Sequence, residues 1–246
     1  MTTTGASAAP GRAEFLAGMR AQAPLLLGVA PFGMAYGAYA AKSGLPTGLA
    51  QAMSAIAFGG AGQFVGVRLI TNDVPGAVIV LATLLVNGRH MLYSASLAPY
   101  TDHLSARWRW LLGYLLTDEA YATAITRYRR GDGSPHAHWF FFGAGAALWI
   151  IWQIATAIGV FGGGAVPDSW SLDFALPLTF LAILIPSLKT RAAVAAAAVG
   201  GVVAAVGFRW PYGTGLLTAI LLGMAAGIVA DLALRSPVAM DEVGPE

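Results

Sequence analysis

The sequence has no cysteine, which removes disulfide frameworks, thiolate metal sites, iron–sulfur clusters and a Cys nucleophile in one step. Charge is nearly as scarce. Of 246 residues, 14 are Lys or Arg and 12 are Asp or Glu, 11% in all, against roughly 25% in an ordinary soluble domain. With 57% hydrophobic residues and a mean hydropathy of +0.66, there are too few polar side chains to cover a water-soluble globule. The solvent is therefore lipid. A net charge of +2 and a pI near 9.0 do not mark a nucleic-acid binder, because the basic residues stand singly or in twos and threes beside apolar runs instead of forming one stripe. The opening segment lacks the short apolar core and cleavage pattern of a signal peptide. Residues 1–15 read as a loose cytoplasmic tail, 16–236 as the membrane domain and 237–246 as a C-terminal tail.

Apolar runs and the breakers between them place helices near 20–41, 48–70, 74–98, 109–128, 138–161, 172–187, 191–208 and 213–234. The expected fold is all-α, a polytopic bundle of seven or eight transmembrane helices, some of them discontinuous. The run at 172–187 is short enough for a tilted or re-entrant segment. If every run crosses the membrane, Arg12, Arg20, Arg68, Arg127, Arg129, Arg130, Lys189, Arg191 and Arg235 share one side, and Lys42, Arg107, Arg109 and Arg209 the other. Basic loops stay cytoplasmic, so eight spans put both termini in the cytoplasm. Trp108, Trp110, Trp139, Trp170 and Trp210 fall at span ends or connections, where an interfacial belt needs them. Gly223 and Gly227 read as close helix packing, and Asp231 with Arg235 as an interfacial pair.

Function is sought where polar groups sit at depth, because a charged side chain at a helix centre costs about 2.5–3.5 kcal/mol and persists only if partnered or useful. Four segments qualify. In Ala30-Pro-Phe-Gly-Met-Ala-Tyr-Gly37, Pro31 removes a backbone donor from the first span and Gly33 loosens it. Either a broken helix presenting free backbone groups to a ligand or a plain proline kink results, with Phe32 and Tyr36 beside it. In Phe58-Gly-Gly-Ala-Gly-Gln-Phe64, Gly59, Gly60 and Gly62 precede Gln63. Each Gly costs about 1 kcal/mol relative to Ala in a helix interior, so the segment is unwound or tightly packed. Free amide N–H groups there suit a carboxylate, and Gln63 suits either end of a zwitterion.

The third segment, Leu85-Val-Asn-Gly-Arg-His-Met-Leu-Tyr-Ser94, carries Asn87, His90, Met91 and Ser94 on one helical face, with Arg89 and Tyr93 on a neighbouring one. Arg89 stays charged and needs a counter-ion, a substrate carboxylate or an escape to the interface. His90 is a proton-relay candidate or a structural hydrogen-bonding group. The fourth, Leu116-Thr-Asp-Glu-Ala-Tyr121, sets Asp118 and Glu119 about 100° apart on a helix, so one of them faces Arg89 and the other a cavity or neighbour. That arrangement serves proton coupling or a buried ion pair fixing helix register.

In this order and spacing, the four segments resemble the AzlC family, the large subunit of azaleucine-resistance, branched-chain amino-acid exporters, over roughly residues 12–235. The resemblance implies a multi-pass permease of the bacterial cytoplasmic membrane that expels valine, leucine, isoleucine or analogues. It also implies a small AzlD-type membrane partner. No cofactor or metal is expected. The mechanism expected on physical grounds is alternating access around the first two spans, with Arg89, His90, Asp118 and Glu119 as coupling groups or a buried ion pair. Three other classes stand beside it: an assembly subunit whose polar groups only tie helices, a membrane-embedded enzyme using His90 and Ser94, and a passive channel.

Overall fold

The computed structural model describes residues 10–131, 134–163, 184–185, 188–211 and 214–234, and every regular element among them is helical. The expected helix at 172–187 and the Asp231–Arg235 pair lie outside the described residues, wholly or in part. Two compact units divide the chain: Met1–Asn72 with Val86–Leu172, and Asp73–Leu85 with Asp173–Glu246.

In the first unit, α1 (Pro10–Lys42) is a single helix of 33 residues. It begins inside the segment read as a tail and runs through Pro24 and Pro31 without interruption, so the broken first span is corrected to a continuous one. Pro31 sits on the exposed side of α1, and losing one ladder bond there is tolerated because the helix is held elsewhere by α8 (Ala137–Gly162).

These two helices touch backbone to backbone. A Cβ at Gly18 would lie 2.0 Å from the carbonyl oxygen of Phe140, at Gly37 2.3 Å from that of Thr156, at Gly143 2.0 Å from that of Phe15, and at Gly159 2.1 Å from that of Met34. Small residues let helices approach in lipid, where no hydrophobic drive brings them together. The paired numbers rise together, so α1 and α8 run parallel.

Between them the chain forms α2 (Thr47–Ile56), α3 (Gly60–Ile70), α5 (Arg89–Thr101), α6 (Ala106–Tyr114) and α7 (Asp118–Arg129), preceded at the unit boundary by α4 (Gly76–Asn87). At about 1.5 Å per residue, α2, α3, α6 and α7 are each roughly half as long as a hydrocarbon core of about 30 Å. The contacts show two hairpins. Gly60 starts α3 against the Phe32 and Trp152 rings, and Phe64 then packs on Phe32, Tyr36 and Tyr39 at 5.1, 5.6 and 5.8 Å. So α3 climbs along α1 toward the end from which α2 descended. At the other end, the Trp108 ring at the start of α6 lies 4.9 Å from Trp139 at the start of α8. The end of α7 returns to the same place, with Tyr128 Oη donating to the Ala137 carbonyl at 3.5 Å.

Residues 47–70 therefore enter and leave by one side, and 106–129 by the other, correcting the two full spans expected at 48–70 and 109–128. The reason is local: the breaks at Ala57–Gly59 and Leu115–Thr117 let each run reverse direction at mid-depth. Among the described residues four helices are long and apolar enough to cross a membrane alone, α1, α8 and two in the second unit, and α4 with α5, interrupted at Gly88, adds a fifth candidate. The basic residues sort accordingly. Arg12, Arg107, Arg109, Arg127, Arg129 and Arg130 gather at one end of the first unit, which we call the basic end, against Lys42 and Arg68 at the other.

In the second unit, α9 (Arg191–Val206) packs on α10 (Thr214–Leu234). A Cβ at Gly223 would meet the Ala196 carbonyl oxygen at 3.0 Å, and one at Gly227 the Ala196 Cβ at 3.1 Å, the packing role read from their spacing.

The natural absence of cysteine makes the hairpins directly testable. Single cysteines at Ser105 and Arg130 should react with a membrane-impermeant maleimide from one side, and those at Ser43 and Asn72 from the other; Ser105 labelling together with Ser43 would refute the reversal. At the α1–α8 contact, Gly37→Leu should lower stability by about 1–3 kcal/mol in reversible unfolding from detergent. Gly28→Leu, where an added Cβ meets nothing within 4 Å, should leave it nearly unchanged.

Candidate functional site

Three helix interruptions among the described residues of the first unit meet at the same depth. Tyr114, at the tip of the second hairpin, sends its hydroxyl to the Ala55 carbonyl of the first, and its ring lies 6.2 Å from Phe58. Trp149 Nε1 on α8 donates to the Tyr114 hydroxyl at 2.7 Å. Asn87, next to the interruption at Gly88, reaches the first tip. A Cβ at Gly59 would lie 3.0 Å from Asn87 Oδ1, and one at Gly62 2.6 Å from Asn87 Nδ2. At Gly60 an added Cβ would lie 2.7 Å from the Phe32 ring. The three glycines are thus seats for two side chains. Gly59 has φ of −164°, ordinary extended backbone, so its requirement is space.

Two half-helices start here with opposite electrostatics. Gly59 gives α3 no side-chain cap, and the first amide of its ladder is Gln63 N–H on the Gly59 carbonyl at 3.0 Å. The amides of Gly60, Ala61 and Gly62 precede that ladder and carry the positive end of the helix dipole. At α7, Thr117 Oγ1 accepts from Ala120 N–H at 3.3 Å, and Asp118 and Glu119 fill the first turn. Acids at a helix start are stabilised by its dipole. Asp118 accepts from Tyr93 Oη at 2.7 Å and pairs with Arg89 Nη2 at 2.9 Å. Asn87 and Arg89, two residues apart, connect the two helix starts.

The sequence-derived residues divide as follows. Phe32, Gly59, Gly60, Gly62 and Asn87 form the first tip and its contacts, and Arg89 and Asp118 form the second. Gln63 is buried; its Nε2 donates to the Met53 carbonyl at 3.2 Å, while Oε1 has no protein partner. Tyr36 is buried with its hydroxyl on the Ala50 carbonyl at 2.9 Å, tying α1 to α2. Gly33 faces Ala155 and Trp152 of α8, so it serves helix packing. His90 lies 6.0 Å from the Tyr93 ring, and Glu119 is half-buried beside Asp118. Pro31, Met91 and Ser94 are exposed, and among the described residues no hydrogen bond joins His90 to Ser94.

Sequence reasoning gave little weight to a polar seam between α2 and α8. Gln51 Nε2 donates to Gln153 Oε1 at 2.8 Å, Gln153 Nε2 to the Ser54 carbonyl at 3.1 Å, and the Ser54 and Thr156 hydroxyls lie 3.0 Å apart. Its signal was present: a Gln followed three residues later by a hydroxyl residue in two apolar helices. Near the basic end, Arg127 pairs with Glu14 at 3.0 Å and lies 5.5 Å over the Phe140 ring, so it has a structural partner as well as a topological role.

Long apolar helices around a polar mid-depth site reached by two folded-back hairpins define an α-helical integral membrane protein. The chain belongs to the AzlC family: residues 24–166 match the AzlC protein family. It is similar to the inner membrane protein YgaZ of Escherichia coli (strain K12), 28% identical over 232 residues covering 91% of this chain and 92% of that one. An uncharacterized membrane protein of Archaeoglobus fulgidus is 27% identical over 215 residues, 86% of this chain and 93% of its own. The branched-chain amino acid transport protein AzlC of Bacillus subtilis (strain 168) is 24% identical over 163 residues, 66% of this chain and 63% of its own. No solved structure matches.

A double-mutant cycle tests whether the tips are held electrostatically. Arg89→Gln and Asp118→Asn should each lower thermal stability, and together less than their sum, with a coupling of roughly 0.5–3 kcal/mol. Strict additivity would show that the pair ties nothing.

Proposed function

We propose that the chain exports branched-chain amino acids by alternating access, with the substrate held where the two hairpin tips meet. The supporting observation is the opposed pair of helix starts. The uncapped amides of Gly60, Ala61 and Gly62 suit a carboxylate, and the acidic first turn at Asp118 and Glu119 suits an ammonium. Asn87 sits beside the first and Arg89 neutralises part of the second. Phe32, Phe58 and Trp152 supply apolar surface for an aliphatic side chain. Discontinuous helices with this division of labour are the usual construction of substrate sites in secondary transporters. Substrate identity is carried here by the similarity to the Bacillus subtilis protein named for branched-chain amino acid transport.

In this reading the basic end faces the cytoplasm of a bacterial cell, as basic loops do. The two hairpins enter from opposite faces, and each closes one half of the path. Inward proton movement through His90, Asp118 or Glu119 drives export, since a titratable group at mid-depth is what proton coupling requires. A small AzlD-type membrane subunit, implied by the family resemblance, is its partner. The family's association with transport argues against catalysis, and the exposed position of Ser94 offers the enzyme alternative no support.

Reconstituted protein should move radiolabelled leucine outward in response to an imposed pH gradient. Asn87→Ala should reduce the rate roughly tenfold, the scale of losing one or two hydrogen bonds to a charged group. Glu119→Gln should leave counterflow exchange intact while abolishing the response to the gradient. Leucine movement that ignores the gradient in the wild-type protein would refute the coupling, and no movement of any branched-chain amino acid would refute the function.

A further inference from the structure

A half-open cavity of about 230 Å³ lies between α5 and α6, with Phe141 of α8 on its third side, and extends along the second hairpin to Gly113 and Leu116 beside its tip. It is smaller than the roughly 300–1,000 Å³ that drug-sized ligands occupy, and so fits a molecule no larger than a single amino acid. Its inner wall is aliphatic and aromatic: Leu97, Leu112, Leu116 and Phe141 line it, each no more than 5% exposed. The other end differs in kind. Asp102, the residue following α5, and Arg109, in the second turn of α6, also line the cavity. Both are exposed at the basic end, and among the described residues neither has an ion-pair partner.

One carboxylate and one guanidinium beside a half-open pocket with an aliphatic and aromatic wall match three features of one ligand class. The guanidinium takes a carboxylate in a bidentate fork, the carboxylate takes an ammonium, and the chamber takes an uncharged branched side chain. A free fatty acid would leave Asp102 facing a carboxylate, and an alkylamine would leave Arg109 without an anion. Leu116, which directly precedes Thr117 and Asp118 at the start of α7, also lines the chamber. The chamber thus runs from the basic surface to the interruption that carries the Arg89–Asp118 pair.

We propose that this cavity is an intake subsite for zwitterionic aliphatic amino acids, in which Asp102 and Arg109 read the two charges before the molecule passes to the mid-depth site. The assignment of the mouth as the cytoplasmic intake rests on the transport reading above; the binding chemistry does not. Gly113 offers a third handle. It lines the same cavity, and a Cβ there would meet nothing within 4 Å, so Gly113→Phe fills the chamber without striking the backbone.

The test is calorimetric titration of the full-length purified protein in detergent with leucine, isoamylamine and 4-methylpentanoate, the last two each lacking one charge. Wild-type protein should bind leucine about tenfold or more tighter than either analogue. Arg109→Gln should weaken leucine about tenfold and leave isoamylamine unchanged, and Asp102→Asn should weaken leucine similarly and leave 4-methylpentanoate unchanged. Gly113→Phe should weaken leucine most. Variants that elute and melt as the wild type yet bind leucine with wild-type affinity and stoichiometry would overturn the subsite, as would a wild-type protein that binds no leucine. Leucine flux that persists unchanged in all three variants would overturn the subsite and leave transport standing. The expected binding pattern without any flux would overturn transport and leave the subsite.

Discussion

Lipid offers no partner to a peptide group, so every stretch of backbone that departs from the helix within the membrane must be enclosed by protein or line a polar space. The first unit meets this condition by gathering its departures. The turns at Ala57–Gly59, Gly88 and Leu115–Thr117 contact one another through Asn87, Phe58 and Tyr114, so each shields the others. Scattered along three separate helices, the same interruptions would each expose unpaired amides to hydrocarbon. Gathered, they form one polar patch backed by Trp149 and Trp152 of α8. The concentration of expensive groups that suggests a function is therefore also the arrangement that makes them tolerable.

Their backing depends on α1 and α8. Glycine at Gly18, Gly37, Gly143 and Gly159 brings the two backbones together over most of their length, and dispersion and backbone contact hold them where the hydrophobic effect cannot. Directional bonds then fix what docks on that pair. The Gln51–Gln153 and Ser54–Thr156 bonds attach the first hairpin, and Thr123 Oγ1 on Gln22 at 2.8 Å and the Glu14–Arg127 pair attach the second. Small residues set distance and polar residues set register. The two kinds of contact are not interchangeable, since a polar tie has little purpose unless the backbones beside it are already close.

Membrane residence, the helical class and the four polar segments were legible because they rest on composition and on the depth of individual residues within apolar runs. The path of the chain through the bilayer was not. Counting basic loops on alternating sides presumes that each apolar run crosses, and hydropathy cannot distinguish a run that passes through from one that goes halfway and returns. Trp108 and Trp139 make the point: alternate crossing puts them on opposite faces, about 30 Å apart, whereas their rings are 4.9 Å apart. Placing 106–129 as a hairpin moves Arg107 and Arg109 to the side of Arg127, Arg129 and Arg130, and the charge asymmetry becomes sharper. Proline misled in the other direction. Pro31 was the most conspicuous breaker in the sequence, yet it lies on an exposed side of a helix that stays whole, while glycine with unfavourable helix propensity marked a true interruption at Gly59.

The two hairpins also resolve a difficulty in the helix-start chemistry. An uncapped helix N-terminus and an acidic one a short distance apart would ordinarily attract and quench each other, leaving nothing for a ligand. Here Arg89 occupies Asp118, so one acid is already neutralised and the Gly60–Gly62 amides are spared as its partner. Under the proposed function Glu119, half-buried beside Asp118, is the remaining acid of the second tip, and its protonation would set whether the tips attract or separate. If the first hairpin seals one half of the path and the second seals the other, that attraction is strongest with Glu119 ionised and the site empty. A zwitterion bound between the tips, as proposed, would satisfy both ends and remove it. On that proposal substrate and proton would act on the same contact, which is the thermodynamic requirement for coupling two fluxes: each ligand must bind the two conformations with different affinity.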